Sequence, residues 1–84
     1  MEEEIGVVTH YFTKIGVAVV KIERGSLKVG DKIHIRGHTT DFTQLVESMQ
    51  VEHEPIQEAT PGQSIGLKVV ERVREGDKVY KIIE

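Results

Sequence analysis

The sequence predicts an all-β domain, a small sandwich or barrel of six or seven short strands. Three observations carry this. Val and Ile recur at alternate positions in short segments. Gly, Pro and Asp punctuate those segments at intervals of about 8–12 residues. Gly-Asp-Lys occurs at both Gly30-Asp31-Lys32 and Gly76-Asp77-Lys78, each time ahead of an alternating apolar run. Closing such a sheet removes exposed strand edges, which small β proteins must otherwise protect.

Ile5 to Phe12 reads as the first strand, with Ile5, Val7, Thr9 and Tyr11 on one face and Val8, His10 and Phe12 on the other. Thr13-Lys14-Ile15-Gly16 is a hairpin connection, because Gly16 can take the left-handed conformation that closes it. Gly16 to Glu23 returns as the second strand. Ala18, Val20 and Ile22 alternate with Val17, Val19 and Lys21, so the early part is apolar on both faces. A strand patterned this way invites a cover on its outer side. Leu27 and Val29 drop into the core from a short crossing segment. Lys32 to Gly37 is the third strand, with Ile33 and Ile35 inward.

Phe42 to His53 is long for one strand and its apolar phase shifts, which predicts a bulge or bend. Glu54 to Ala59 has the spacing of a single helical turn, limited by Pro55 and by Thr60-Pro61-Gly62-Gln63. Ser64 to Val70 and Lys78 to Ile83 are the last strands. The organisation expected is an acidic tail over residues 1–4 and one domain over residues 5–83.

At 84 residues without cysteine, the chain is one domain with a thin core and no thiol chemistry. That composition fits a reducing, cytoplasmic compartment. No apolar run has the length of a membrane span, so no membrane partner is expected. The net charge is −3, and Glu2, Glu3 and Glu4 account for it. Lys14 to Arg36 holds six bases (Lys14, Lys21, Arg24, Lys28, Lys32, Arg36) and two acids, a balance of +4. Asp41 to Glu58 holds five acids and no Lys or Arg.

Ile22-Glu23-Arg24-Gly25-Ser26-Leu27-Lys28-Val29-Gly30-Asp31-Lys32 resembles a stretch in the second domain of elongation factors Tu and 1-alpha. Val46 to Ile56, Ala59 to Leu67 and Arg74 to Val79 resemble later blocks of the same domain, in the same order. The resemblance implies a closed six- to seven-stranded antiparallel barrel that binds RNA, the ribosome or tRNA. Gly6-Val7-Val8 and Gly16-Val17-Ala18-Val19-Val20 resemble the small barrel at the carboxyl end of collagenase-like peptidases, which implies a protein partner instead. The chain has no phosphate loop and no asparagine for a guanine-reading motif, so nucleotide binding by this chain is not expected. In the elongation factors polar groups of this domain hold the acceptor end of tRNA. Those family positions fall at Gln50, where the family has Glu, and at Val19, where it has Thr.

Neither catalysis nor a metal is expected. Four histidines are present, but His34 and His38 lie about 13 Å apart on an extended strand. Ser26, Ser48 and Ser64 sit in no nucleophile elbow. Glu52 and Glu54 share one strand face, where a solvated acidic edge explains them. No cofactor is implied. The sequence therefore points to a non-catalytic, translation-factor-like binding module that contacts its partner through Lys14, Lys21, Arg24, Lys28, Lys32, Arg36 and Tyr11. The alternative is an accessory domain acting in trans with an enzyme such as a collagenase-like peptidase. A third is self-association through Val17 and Val19.

Overall fold

A strand with apolar residues at alternate positions presents them on one face, and pairing into a sheet lets that face be covered. The computed structural model describes residues 1–83. Ten strands account for it: β1 (Glu2–Phe12), β2 (Val17–Ile22), β3 (Leu27–Lys28), β4 (Lys32–Arg36), β5 (Asp41–Leu45), β6 (Met49–Val51), β7 (Glu54–Ile56), β8 (Glu58–Ala59), β9 (Ser64–Lys68) and β10 (Lys78–Ile82). Eight form one sheet in the order β5-β4-β10-β1-β2-β9-β6-β7, while β3 pairs with β8. Every pairing is antiparallel. The count exceeds the expected six or seven because β3, β7 and β8 are pieces of two or three residues. The long segment is also cut between β5 and β6, where the phase shift predicts a bend.

The alternation expected for β2 and β4 is present, and β9 alternates as well. Ala18, Val20 and Ile22, then Ile33 and Ile35, then Ile65 and Leu67 are all fully buried. Each such aliphatic side chain contributes roughly 1.5–3 kcal/mol when removed from water. Leu27 is buried from β3, as its spacing predicts.

β1 departs from simple alternation. Its register shifts once between Glu4 and Gly6 and again between Val8 and His10. Each bulge flips the phase, so Ile5 and Val8 point inward and Tyr11 packs against the same core. Val7 and Thr9 do not share that face. The strand also starts at Glu2, ahead of the expected Ile5, because Glu2, Glu3 and Glu4 pair with Ile82, Lys81 and Tyr80. Residues 54–59 form β7 and β8, not a helical turn. Pro55 lies opposite Gln50 on the outermost strand, where a missing N–H leaves no ladder bond unmade.

The Gly-Asp turns repeat one geometry. Lys28 N–H donates to Asp31 Oδ2 at 2.8 Å, and Arg74 N–H donates to Asp77 Oδ2 at 2.9 Å. The glycines between them, Gly30 and Gly76, have φ of 99° and 93°. A third copy closes with an amide: Thr60 N–H donates to Gln63 Oε1 at 2.8 Å, with Gly62 at φ 95°.

The ladders end at β5 on one side and β7 on the other. β5 pairs with β4, while β6, the continuation of the same chain segment, pairs with β9. Between β5 and the end of β9 a side chain stands in for a ladder. Gln44 Nε2 donates to Lys68 O at 2.9 Å, and Val70 N–H donates to Gln44 Oε1 at 2.8 Å.

Candidate binding surface

Inward residues are consumed by the core, so any site must be built from the outward rungs. Rungs of neighbouring strands line up into rows. His10, Val19, Gly66, Gln50 and Pro55 form one such row across β1, β2, β9, β6 and β7. Phe12, Val17 and Lys68 form the next. Gly66 leaves a gap in the first row, and a Cβ there would come within 3.1 Å of Gln50 Cγ.

That gap floors an open groove of about 400 Å³, within the size range of ligand sites. Phe12 and Ile15 wall one side from the hairpin after β1, and they are 46% and 62% exposed. Val17, Val19 and Ile65 make its base, while Gln50, Glu52, His53 and Ser64 edge it. Glu52 is the only acid among the lining residues, and neither Lys nor Arg lines it. A smaller depression of about 180 Å³ adjoins it over Val17, Gln50 and Gly66 and is also lined by Lys68. The sequence-level positions Val19 and Gln50 thus meet in one place.

Glu52 and His53 form the two-residue turn joining β6 to β7, with φ of 50° and 67°. A tight hairpin asks for positive φ at both places, and Asn-Gly usually supplies it. Here two bulky side chains hold it, at a cost of order 1 kcal/mol each. Glu52 and Glu54 therefore do not share a strand face, since Glu52 lies in the turn and β7 starts at Glu54.

The six bases do not converge. Lys14 is exposed in the hairpin after β1 and lines a depression with Tyr11 and Thr13 that shares Phe12 and Ile15 with the groove. Arg24 is exposed in the turn after β2. Lys28 lies on β3 opposite Glu58, and Lys32 opens β4 opposite Leu45. Only Lys21 and Arg36 share a row, through Val7 and Lys78, a base outside the Lys14–Arg36 stretch. Strands about 4.8 Å apart put Lys21 and Arg36 roughly 14 Å from each other. Tyr11 is half-buried against the core, and the outward ring is Phe12.

Sequence reasoning missed one polar cluster. His34 on β4 binds Glu2 of β1 through Nδ1 at 2.9 Å and Asp41 of β5 through Nε2 at 2.5 Å. Hydrogen bonds to Asp41 and then Glu2 raise its pKa above the ordinary 6.5, against a smaller opposing effect of burial. Tyr80 lies beside it, ring centroids 6.1 Å apart, and the Arg36 guanidinium sits 5.3 Å over the Tyr80 ring. Nothing local in the sequence signals a pairing between Glu2 and His34, because the sheet order creates it. Among the described residues no group of three or more His, Cys, Asp or Glu is arranged to hold a metal ion. Among the described residues no helix is long and apolar enough to cross a membrane.

Comparison with known proteins matches residues 16–79 to the family described as elongation factor Tu domain 2. A collagenase of Porphyromonas gingivalis is 44% identical over 72 residues, covering 84% of this chain and 20% of that protein. Elongation factor 1-alpha of Pyrococcus horikoshii is 40% identical over 57 residues, covering 63% of this chain and 13% of that protein. The crystal structure of the C-terminal domain of a U32-type peptidase from Geobacillus thermoleovorans superposes with a TM-score of 0.89 at 25% identity, covering 96% of this chain and 93% of that one. Both resemblances drawn from the residues are met. The chain spans about a fifth, 20%, of the collagenase relative's length.

Proposed function

The chain belongs to the elongation factor Tu domain 2 family, and from that premise we propose that it is a non-catalytic accessory module that docks on a protein of the collagenase-like peptidase type. One observation carries this reading: the β2–β9–β6 face is an apolar groove with no base lining it. Phosphates need cations or aimed N–H groups, whereas an apolar groove rimmed by a few polar groups suits a protein segment. The coverage of the relatives supports the same choice, since the collagenase match takes in 84% of this chain and the elongation factor 1-alpha match 63%.

A second reading keeps an RNA partner, favoured by the row Arg36–Lys78–Val7–Lys21, which crosses β4, β10, β1 and β2. In both readings the module is a cylinder closed through residues 41–51. The continuity of β5 with β6 and the Gln44 clamp on Lys68 and Val70 support closure.

Nitrogen-15 NMR of the chain separates the two partners. A U32-type peptidase lacking its own C-terminal domain is expected to broaden the amides of Val17, Val19, Gln50 and Gly66. Deacylated tRNA is expected to leave them unchanged. Broadening at Lys21, Arg36 and Lys78 by tRNA alone would replace the protein reading with the RNA one.

A further inference from the structure

The groove also carries a chemical specification of its occupant. We infer that it takes an apolar side chain of an extended protein segment and that Glu52 reads a Lys or Arg beside that side chain. This deepens the protein-docking reading above and rests on it.

The apolar half of the specification comes from Phe12, Ile15, Val17 and Val19, with Gly66 leaving the floor open. An incoming aliphatic or aromatic group there removes both its own surface and these from water, at about 25 cal/mol per Å². The charged half comes from the lip. Glu52 is exposed, and among the described residues no base pairs with it. Lys68 lines the adjoining depression and Lys14 the Tyr11–Thr13 one. Neither lines the groove itself.

The backbone supplies an independent observation. Glu52 and His53 are held at φ of 50° and 67°, a conformation that Gly would occupy without strain. Strain of this kind is kept where the side chain matters. Here it sets a carboxylate and an imidazole at the mouth of the groove. A phosphate-bearing ligand would meet the Glu52 charge head-on, whereas a cation beside the anchor would pair with it.

The test is a set of NMR titrations of the full chain with acetyl-Lys-Leu-Phe-Lys-amide, acetyl-Glu-Leu-Phe-Glu-amide and a three-nucleotide RNA. The cationic peptide is expected to shift the amides of Val17, Val19, Gln50 and Gly66 and to bind more tightly than the acidic one. Glu52→Gln is expected to weaken the cationic peptide about two- to five-fold, the scale of one exposed ion pair. Glu52→Lys should reverse the ranking of the two peptides. Equal binding of both peptides with Glu52→Gln silent would overturn the charge specification and leave protein docking standing. RNA shifting Gln50 and Gly66 while neither peptide does would overturn both.

Discussion

Two outward faces of one sheet behave differently. Over β5, β4, β10 and β1 the side chains satisfy one another: His34 joins Glu2 to Asp41, Arg36 lies over Tyr80, and Lys78 reaches Glu4 at 3.8 Å. Over β2, β9 and β6 the outward residues include Val17, Val19, Gly66 and Gln50, with the exposed Lys21 and Lys68 beside them, and among the described residues neither lysine is in an ion pair. The first face is finished by its own chain. The second exposes apolar surface that only another molecule can cover. In a small sheet protein, function is therefore to be sought where the outward rungs are not paired among themselves.

The glycines sharpen the contrast most. Gly37, just after β4, has the Asp77 carboxylate and backbone against the place where a Cβ would stand. Asp77 is buried and caps its turn by accepting from Arg74 N–H. Gly37→Ala is expected to displace that cap and cost about 3 kcal/mol, combining overpacking with a lost buried hydrogen bond. Urea denaturation measures it. Gly66→Ala meets the flexible Gln50 side chain at 3.1 Å and Val17 Cγ1 at an ordinary 3.6 Å, and is expected to cost less than about 1 kcal/mol while filling the groove.

Next in size is the seam. Gln44→Ala removes both bonds to Lys68 O and Val70 N–H. About 1–2 kcal/mol is expected, with faster amide exchange at Val70. Unchanged exchange there would mean that Gln44 closes nothing.

The polar face is expected to respond to pH. His34 has a raised pKa in the folded chain, so the stability it contributes is complete below about 6.5. That contribution fades as pH rises through the folded value. The carboxylates are 38% and 72% exposed, and a pair this open contributes no more than about 1 kcal/mol. Urea midpoints should fall across that window in the native chain and stay flat there in His34→Leu.

β2 and β4 were legible in the sequence with their alternating faces, and β9 as a strand. So were Gly16, Gly30 and Gly76, because turn chemistry is local. β1 was legible as a strand but not in its facing, since two bulges arise from pairing with β2 and β10. Residues 54–59 have a spacing that suits a helical turn, and their pairing with β6 and β3 overrides it. Val19 and Gln50 were marked by the family resemblance. That they meet across Gly66 depends on β9 lying between β2 and β6, a long-range order that no local pattern contains. The same holds for Glu2 with His34.

The decisive measurement compares two neighbours on β2, each pointing outward. Val19→Lys and Lys21→Glu are titrated with the same peptidase partner, with urea midpoints recorded for both. Docking through the groove requires that Val19→Lys weaken binding at least about tenfold, the loss expected when a charge is buried in an apolar contact, while Lys21→Glu leaves it intact and both variants stay folded. Binding that survives Val19→Lys and disappears with Lys21→Glu would contradict it.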